Sequence, residues 1–150
     1  MIVAVWTKIR KSWKAVAATT MGMVMGVGIF TLYYAKGWSY LTNNPQSCAN
    51  CHTMQPYLDA WQHGSHRAVA TCNDCHTPAH PIKKWLVKGN NGFWHSYAFT
   101  MQDFPEHLQI KPGNLEVTEA QCRHCHAQMV HQVDRQLACT QCHSRVGHDQ

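Results

Sequence analysis

Eight cysteines and twelve histidines are the groups in this 150-residue chain best equipped for chemistry. Every cysteine falls in a C-x-x-C-H unit. The four units are Cys48-Ala-Asn-Cys51-His52, Cys72-Asn-Asp-Cys75-His76, Cys122-Arg-His-Cys125-His126 and Cys139-Thr-Gln-Cys142-His143. Paired thiols followed at once by an imidazole form the attachment site of a c-type haem. The thiols add to two vinyl groups of the porphyrin. On a helical turn, residues at i, i+3 and i+4 share a face, so the histidine reaches the iron beneath the ring. Zinc and disulfides are the competing chemistries. Zinc takes tetrahedral Cys/His sets and needs no histidine directly after each second cysteine. A bridge within C-x-x-C closes too short a loop to brace a fold. The expectation is four covalently bound c-type haems.

Four six-coordinate irons need eight axial ligands, of which the motif histidines supply four. Eight histidines remain: His63, His66, His80, His95, His107, His124, His131 and His148. That surplus favours bis-histidine ligation for some haems, which gives low potentials. Any one of them reads equally as a surface residue. Met54 lies two residues after His52. Methionine ligation raises a haem potential, but from spacing alone Met54 reads as a packing residue.

The motifs must be held near something, and the N-terminus says what. No residue from Ala15 to Ala35 is charged, and Lys14 and Lys36 bracket the run. A helix over 15–35 spans about 30 Å, the thickness of a bilayer core. Lys8, Arg10, Lys11 and Lys14 precede it, and only Lys36 follows closely. The positive-inside rule then places 1–14 in the cytoplasm and 36–150 in the periplasm of a bacterial inner membrane, crossed once. Trp13, Tyr33, Tyr34, Trp38 and Tyr40 mark the two interfaces. A cleaved signal peptide is the alternative. Its apolar region runs to about 7–15 residues and ends in small side chains, whereas this run ends in Phe30, Leu32, Tyr33 and Tyr34. Ala18, Gly22 and Gly26 share one helix face, a pattern that allows self-association in a membrane.

Residues 36–150 must then accommodate four haems, with fewer than 30 residues for each. So short a chain cannot build a large core of its own, and the haems must serve as the core. No strand alternation stands out. The expected class is all-α: one transmembrane helix and a small multihaem head of short helices. Thr118 with Gln121 reads as a capping box ahead of the third motif. Gly89-Asn90-Asn91-Gly92 reads as a turn or helix break. The net charge of +5 would suggest nucleic acid or anionic membrane. Eight haem propionates and four ferric irons bring it to about +1 oxidised and −3 reduced, so no nucleic-acid partner is expected.

An N-terminal anchor followed by four C-x-x-C-H motifs resembles the NapC/NirT family of membrane quinol dehydrogenases. Within it, the likeness is to the small subunits of cytochrome c nitrite reductase. It runs through Ser39-Tyr40-Leu41, Cys48 to Met54, Trp61-Gln62-His63-Gly64-Ser65-His66 and Phe93-Trp94-His95-Ser96-Tyr97-Ala98-Phe99-Thr100. The resemblance implies that Met54, not His52, binds the first iron. It implies that His66 completes the fourth haem opposite His143, and that His148 completes the third opposite His126. The second haem keeps His76, with a lysine of a catalytic subunit, or else His80, on its other side. The resemblance also implies menaquinol oxidation beside the first haem. Lys84 matches the family's lysine there. Its acidic residue, seven positions on, falls on Asn91. Asparagine cannot take a proton as a carboxylate can, which leaves His95, water or an altered site.

The function so implied is electron transfer from the quinol pool to a periplasmic multihaem nitrite reductase. The alternative keeps anchor and haems but serves a nitrate reductase, an octahaem enzyme or a soluble cytochrome. A haem sensor would need an output domain, and none is visible. A terminal reductase of the family uses C-x-x-C-K, which this chain lacks.

Overall fold

The computed structural model describes residues 2–148, with side chains from Ser12 onward. Lys8, Arg10 and Lys11 of the basic flank therefore lie outside the described side chains. Among the described residues every regular element is helical, as the sequence suggests. The chain forms two compact units, 1–42 and 43–150.

The first unit is helix α1 (Ile2–Tyr34) and a 3₁₀ turn at Gly37–Leu41. Ser12–Tyr34 is long and apolar enough to cross a membrane, and none of its most apolar window is buried against protein. The helix stops where Lys36 takes a left-handed conformation with φ of 50°.

The second unit holds α2 (Gln55–His63), α3 (Cys72–His76), α4 (Pro81–Met101), α5 (Pro112–Cys125) and α6 (Cys139–Cys142). Prolines sit in the first turn of α2, α4 and α5, where their missing N–H costs nothing. Helix α3 begins at a capping box: Asp74 accepts from the Thr71 N–H at 2.8 Å and from its hydroxyl at 2.7 Å.

Two local expectations fail. Thr118 is no cap. It lies inside α5, its hydroxyl donating to the Asn114 carbonyl at 3.1 Å, because Pro112 starts the helix earlier. Nor do Gly89 to Gly92 break a helix, since α4 runs straight through them. A glycine costs a helix about 1 kcal/mol, and the surrounding turns absorb that. Helix α4 ends instead at Gln102, φ 56°, where the Asp103 N–H reaches back to the Ala98 carbonyl at 2.9 Å.

Among the described residues Leu58 is the one buried apolar side chain. The accessible surface is 12476 Å², against about 7,800 Å² for a compact globule of this mass. Among the described residues the helices thus enclose no apolar core of their own, and each C-x-x-C-H motif lies on or beside a helix.

Candidate functional site

The four motifs form a succession in space that follows the chain. Cys72 hydrogen-bonds Cys48, which joins the first motif to the second. That bond holds the Cys48 thiol down at about 7, with help from the Lys88 ammonium, and pushes Cys72 up. Helix α3 packs on α5, bringing the second motif to the third. Cys75 there is raised by burial, by Asp74 and by Cys125. Helix α5 packs on α6, bringing the third motif to the fourth. Burial and the fields of Cys139, Glu119 and Cys75 push Cys122 up to about 11.

The junction of the last two motifs is built from polar groups. Glu119 on α5 accepts from the Cys139 N–H at 2.6 Å, the Thr140 N–H at 3.0 Å and the Thr140 hydroxyl at 2.7 Å. It thereby caps α6 from another helix. Against some desolvation, these bonds hold its carboxyl at about 2. One turn on, the Arg123 guanidinium donates to the carbonyls of Asp134 at 3.0 Å and Leu137 at 2.7 Å. Sequence reasoning missed both residues, because their partners lie 11 to 21 positions away with no local signature.

The histidines assemble in pairs. The rings of His76 and His148 lie parallel within 5°, their centres 6.1 Å apart. Those of His66 and His126 are also 6.1 Å apart, crossed at 72°. Two imidazoles on opposite sides of one iron would sit about 6 Å apart, given metal–nitrogen bonds of about 2 Å. Both pairs therefore fit a bis-histidine haem. The pairs implied by resemblance were His66 with His143 and His148 with His126, so the rings brought together are different ones. Burial lowers the pKa of His76, and His148 lowers it further, favouring the neutral imidazole that a metal requires. His148 is likewise lowered by burial, and its Nδ1 is buried without a hydrogen-bond partner. The Ser65 hydroxyl lies 3.1 Å from His66 Nδ1, which orients that ring. The tail passes Gly64 at ordinary contact distance: a Cβ there would lie 3.5 Å from the Gly147 carbonyl oxygen, and the tighter approach, 3.2 Å, would be to the Trp61 carbonyl oxygen of α2.

Met54 is half-buried, whereas His52 is exposed. His143 is exposed too, and among the described residues no second histidine ring faces it. His80 is exposed at the start of α4. Among the described residues, no three His, Cys, Asp or Glu side chains converge on a point that would hold a bare metal ion. None of the eight cysteines forms a disulfide. A porphyrin, which brings four nitrogens of its own, fits this donor set better than zinc does.

Lys84, Lys88, Asn91 and His95 lie along one side of α4, at spacings of three and four. Desolvation and the neighbouring Lys84 lower Lys88. Desolvation and the Lys111 ammonium lower His95, which is therefore a neutral proton acceptor at ordinary pH.

The model of the NapC/NirT cytochrome c family, N-terminal region, matches residues 8–150. The chain belongs to this family. A NapC/NirT cytochrome holds covalently bound c-type haems, and the cysteine motifs supply their attachment. The cytochrome c-type protein NrfH of Wolinella succinogenes is 30% identical over 142 residues, covering 84% of this chain and 80% of that one. The cytochrome c nitrite reductase subunit NrfH of Nitratidesulfovibrio vulgaris is 28% identical, covering 85% and 80%. The cytochrome c-type protein TorC of Escherichia coli is 24% identical over 95% of this chain but 45% of its own length. Among solved structures, a chain of the cytochrome c nitrite reductase NrfHA complex bound to the HQNO inhibitor matches at a TM-score of 0.63. It shares 26% identity over 83% of this chain and 88% of its own. With its apolar N-terminal helix, this NapC/NirT chain is a membrane-anchored cytochrome.

Proposed function

We propose that this chain oxidises menaquinol at the membrane and delivers the electrons to a periplasmic cytochrome c nitrite reductase. The observation that carries the reading is the likeness to the NrfHA complex, sustained over 83% of the chain and 26% identical. The basic flank ahead of the apolar run in α1 supports a single crossing with the head in the periplasm.

Menaquinol gives up two electrons and two protons. Four c-type haems, one per motif, supply one-electron acceptors and a path. The chain's own residues handle the rest. Lys84 and Lys88 orient the quinol hydroxyls by donating to their oxygens. His95 takes a proton from the hydroxyl that faces it, the role Asn91 cannot fill. Met54 would hold the first haem, in keeping with its half-burial beside an exposed His52. His76 and His148, and His126 and His66, would hold the second and third haems. The exposed His143 would hold the fourth, and a lysine of the partner would complete that site as the electron exit. The resemblance had put that exit at the second motif.

The test uses the purified, haem-loaded chain in detergent. A menaquinol analogue is added to the oxidised protein and the c-type α-band is followed. Rapid reduction, blocked by a quinol-site inhibitor, is expected. No reduction by quinol, with all haems reducible by dithionite, would refute the quinol step. The TorC likeness favours a second reading, in which the same anchor and haems serve another acceptor. Co-purification with nitrite reductase decides between them.

A further inference from the structure

The two histidine pairs are restrained by different means. An imidazole bound to iron keeps one freedom, rotation about the iron–nitrogen axis. A hydrogen bond at its other ring nitrogen ordinarily stops that rotation. His66 has such a partner, the Ser65 hydroxyl at 3.1 Å. At His148 the Nδ1 is buried, and no other described residue bonds it. No helix fixes this residue either, since the described chain beyond α6 is turn and bend. Something else must hold its ring within 5° of parallel to His76.

Tyr57 is placed to do so. It lies on α2, three residues after Met54 and next to the buried Leu58. Its ring stands at 86° to that of His148, with centres 5.1 Å apart, the edge-to-face approach that aromatic rings favour. Turning the imidazole about its iron bond would break that approach. Tyr57 is itself tied at its far end. Its hydroxyl donates to the Leu108 carbonyl at 3.4 Å, in the segment between α4 and α5.

We propose that Tyr57 is a positioning residue for His148, its ring holding that imidazole parallel to His76. The angle between two axial imidazoles matters because each donates into the iron d orbital perpendicular to its own plane. Parallel planes split two such orbitals and give a rhombic ferric signal. Crossed planes, as between His66 and His126 at 72°, leave them nearly equal and give one large g value. Tyr57 therefore tunes one haem's electronic structure without touching iron or substrate. The proposal rests on the reading that His76 and His148 share an iron.

The test uses the full, haem-loaded chain in detergent, oxidised for low-temperature electron paramagnetic resonance and then titrated potentiometrically. The unaltered chain is expected to show a rhombic low-spin signal beside one of large g. In Y57M, which keeps the bulk but not the flat ring, the rhombic signal moves toward larger g and one midpoint potential shifts. The crossed pair's signal and the four-haem content stay unchanged. Y57F keeps the ring and keeps the rhombic signal. An unaltered chain without a rhombic signal overturns the proposal, as does a Y57F that loses it, so a Y57M that fails to accumulate leaves the idea exposed to refutation. A Y57M with its rhombic signal unmoved, or with every haem signal moved together, also overturns it. H148A separates the two readings. There the rhombic signal should vanish as one haem turns high-spin. No change in H148A refutes the shared iron and the proposal with it, whereas the expected change beside an unmoved Y57M refutes the role of Tyr57 alone.

Discussion

The α5–α6 junction and helix α4 are built by opposite means. At the junction, one carboxylate and one guanidinium, four residues apart on α5, each reach across to backbone groups of the segment that follows. Every charge has a partner in the opposite sense. Along α4, lysines of like charge share a side, and the helix itself carries no acidic residue. The junction fixes a distance between two haem attachments. The helix instead gathers cations and an imidazole on one side. Electron transfer needs cofactors held close together, whereas proton removal needs an acceptor within reach of the substrate.

That contrast breaks most visibly at His95. H95Q is expected to slow quinol oxidation about 100-fold while leaving the haem spectrum and Tm unaltered. N91D placed on H95Q should restore most of the lost rate, because a carboxylate returns to the family's acidic position. An unchanged rate in H95Q would remove this residue from the site. The pH profile sharpens the point. His95 is lowered from 6.5, so it stays neutral above that value and the rate falls only as acid protonates it, at a pH below 6.5.

At the junction the same logic predicts lost stability, not lost turnover at the quinol. Glu119→Ala removes three hydrogen bonds and should destabilise the haem-loaded head by about 2 kcal/mol, seen as a lower Tm. The pH dependence has a definite sign. The carboxyl is depressed from 4.5 to about 2, so its contribution is whole above 4.5 and is lost as pH falls toward 2. The Tm gap between the unaltered chain and E119Q should therefore close with acid. Arg123→Ala gives the smallest effect, about 1 kcal/mol. If it slowed electron delivery without lowering Tm, the bracket would serve the haems and not the fold.

Much of this molecule was legible in its residues. The four motifs, the apolar helix and the lack of strands follow from spacing and composition, which are local properties. What was hidden depends on distant partners. Glu119 looks like any solvated acid until Cys139 and Thr140 arrive beneath it. His148 shows five-residue spacing from His143 but nothing of its parallel approach to His76, which lies 72 positions away in the chain. Gly89 to Gly92 misled for a different reason. Intrinsic propensity is a weak force, and a helix with strong turns on both sides runs through it. Thr118 misled because a capping motif carries no information about where a helix has already begun.

Among the described residues Leu58 stands alone as a buried apolar side chain, and this has a consequence for manufacture. Most cytochromes can be imagined as a polypeptide that receives a pigment. Here the pigment must arrive for there to be a tertiary structure at all, since binding and folding are one equilibrium. A chain that leaves the ribosome and misses one attachment has no partial fold to retreat to around that motif. It stays open to proteases, which in a cell remove the unfolded fraction continuously. The cell's stock should then consist of fully loaded molecules, and a shortage of haem would show as fewer copies, not as broken wires.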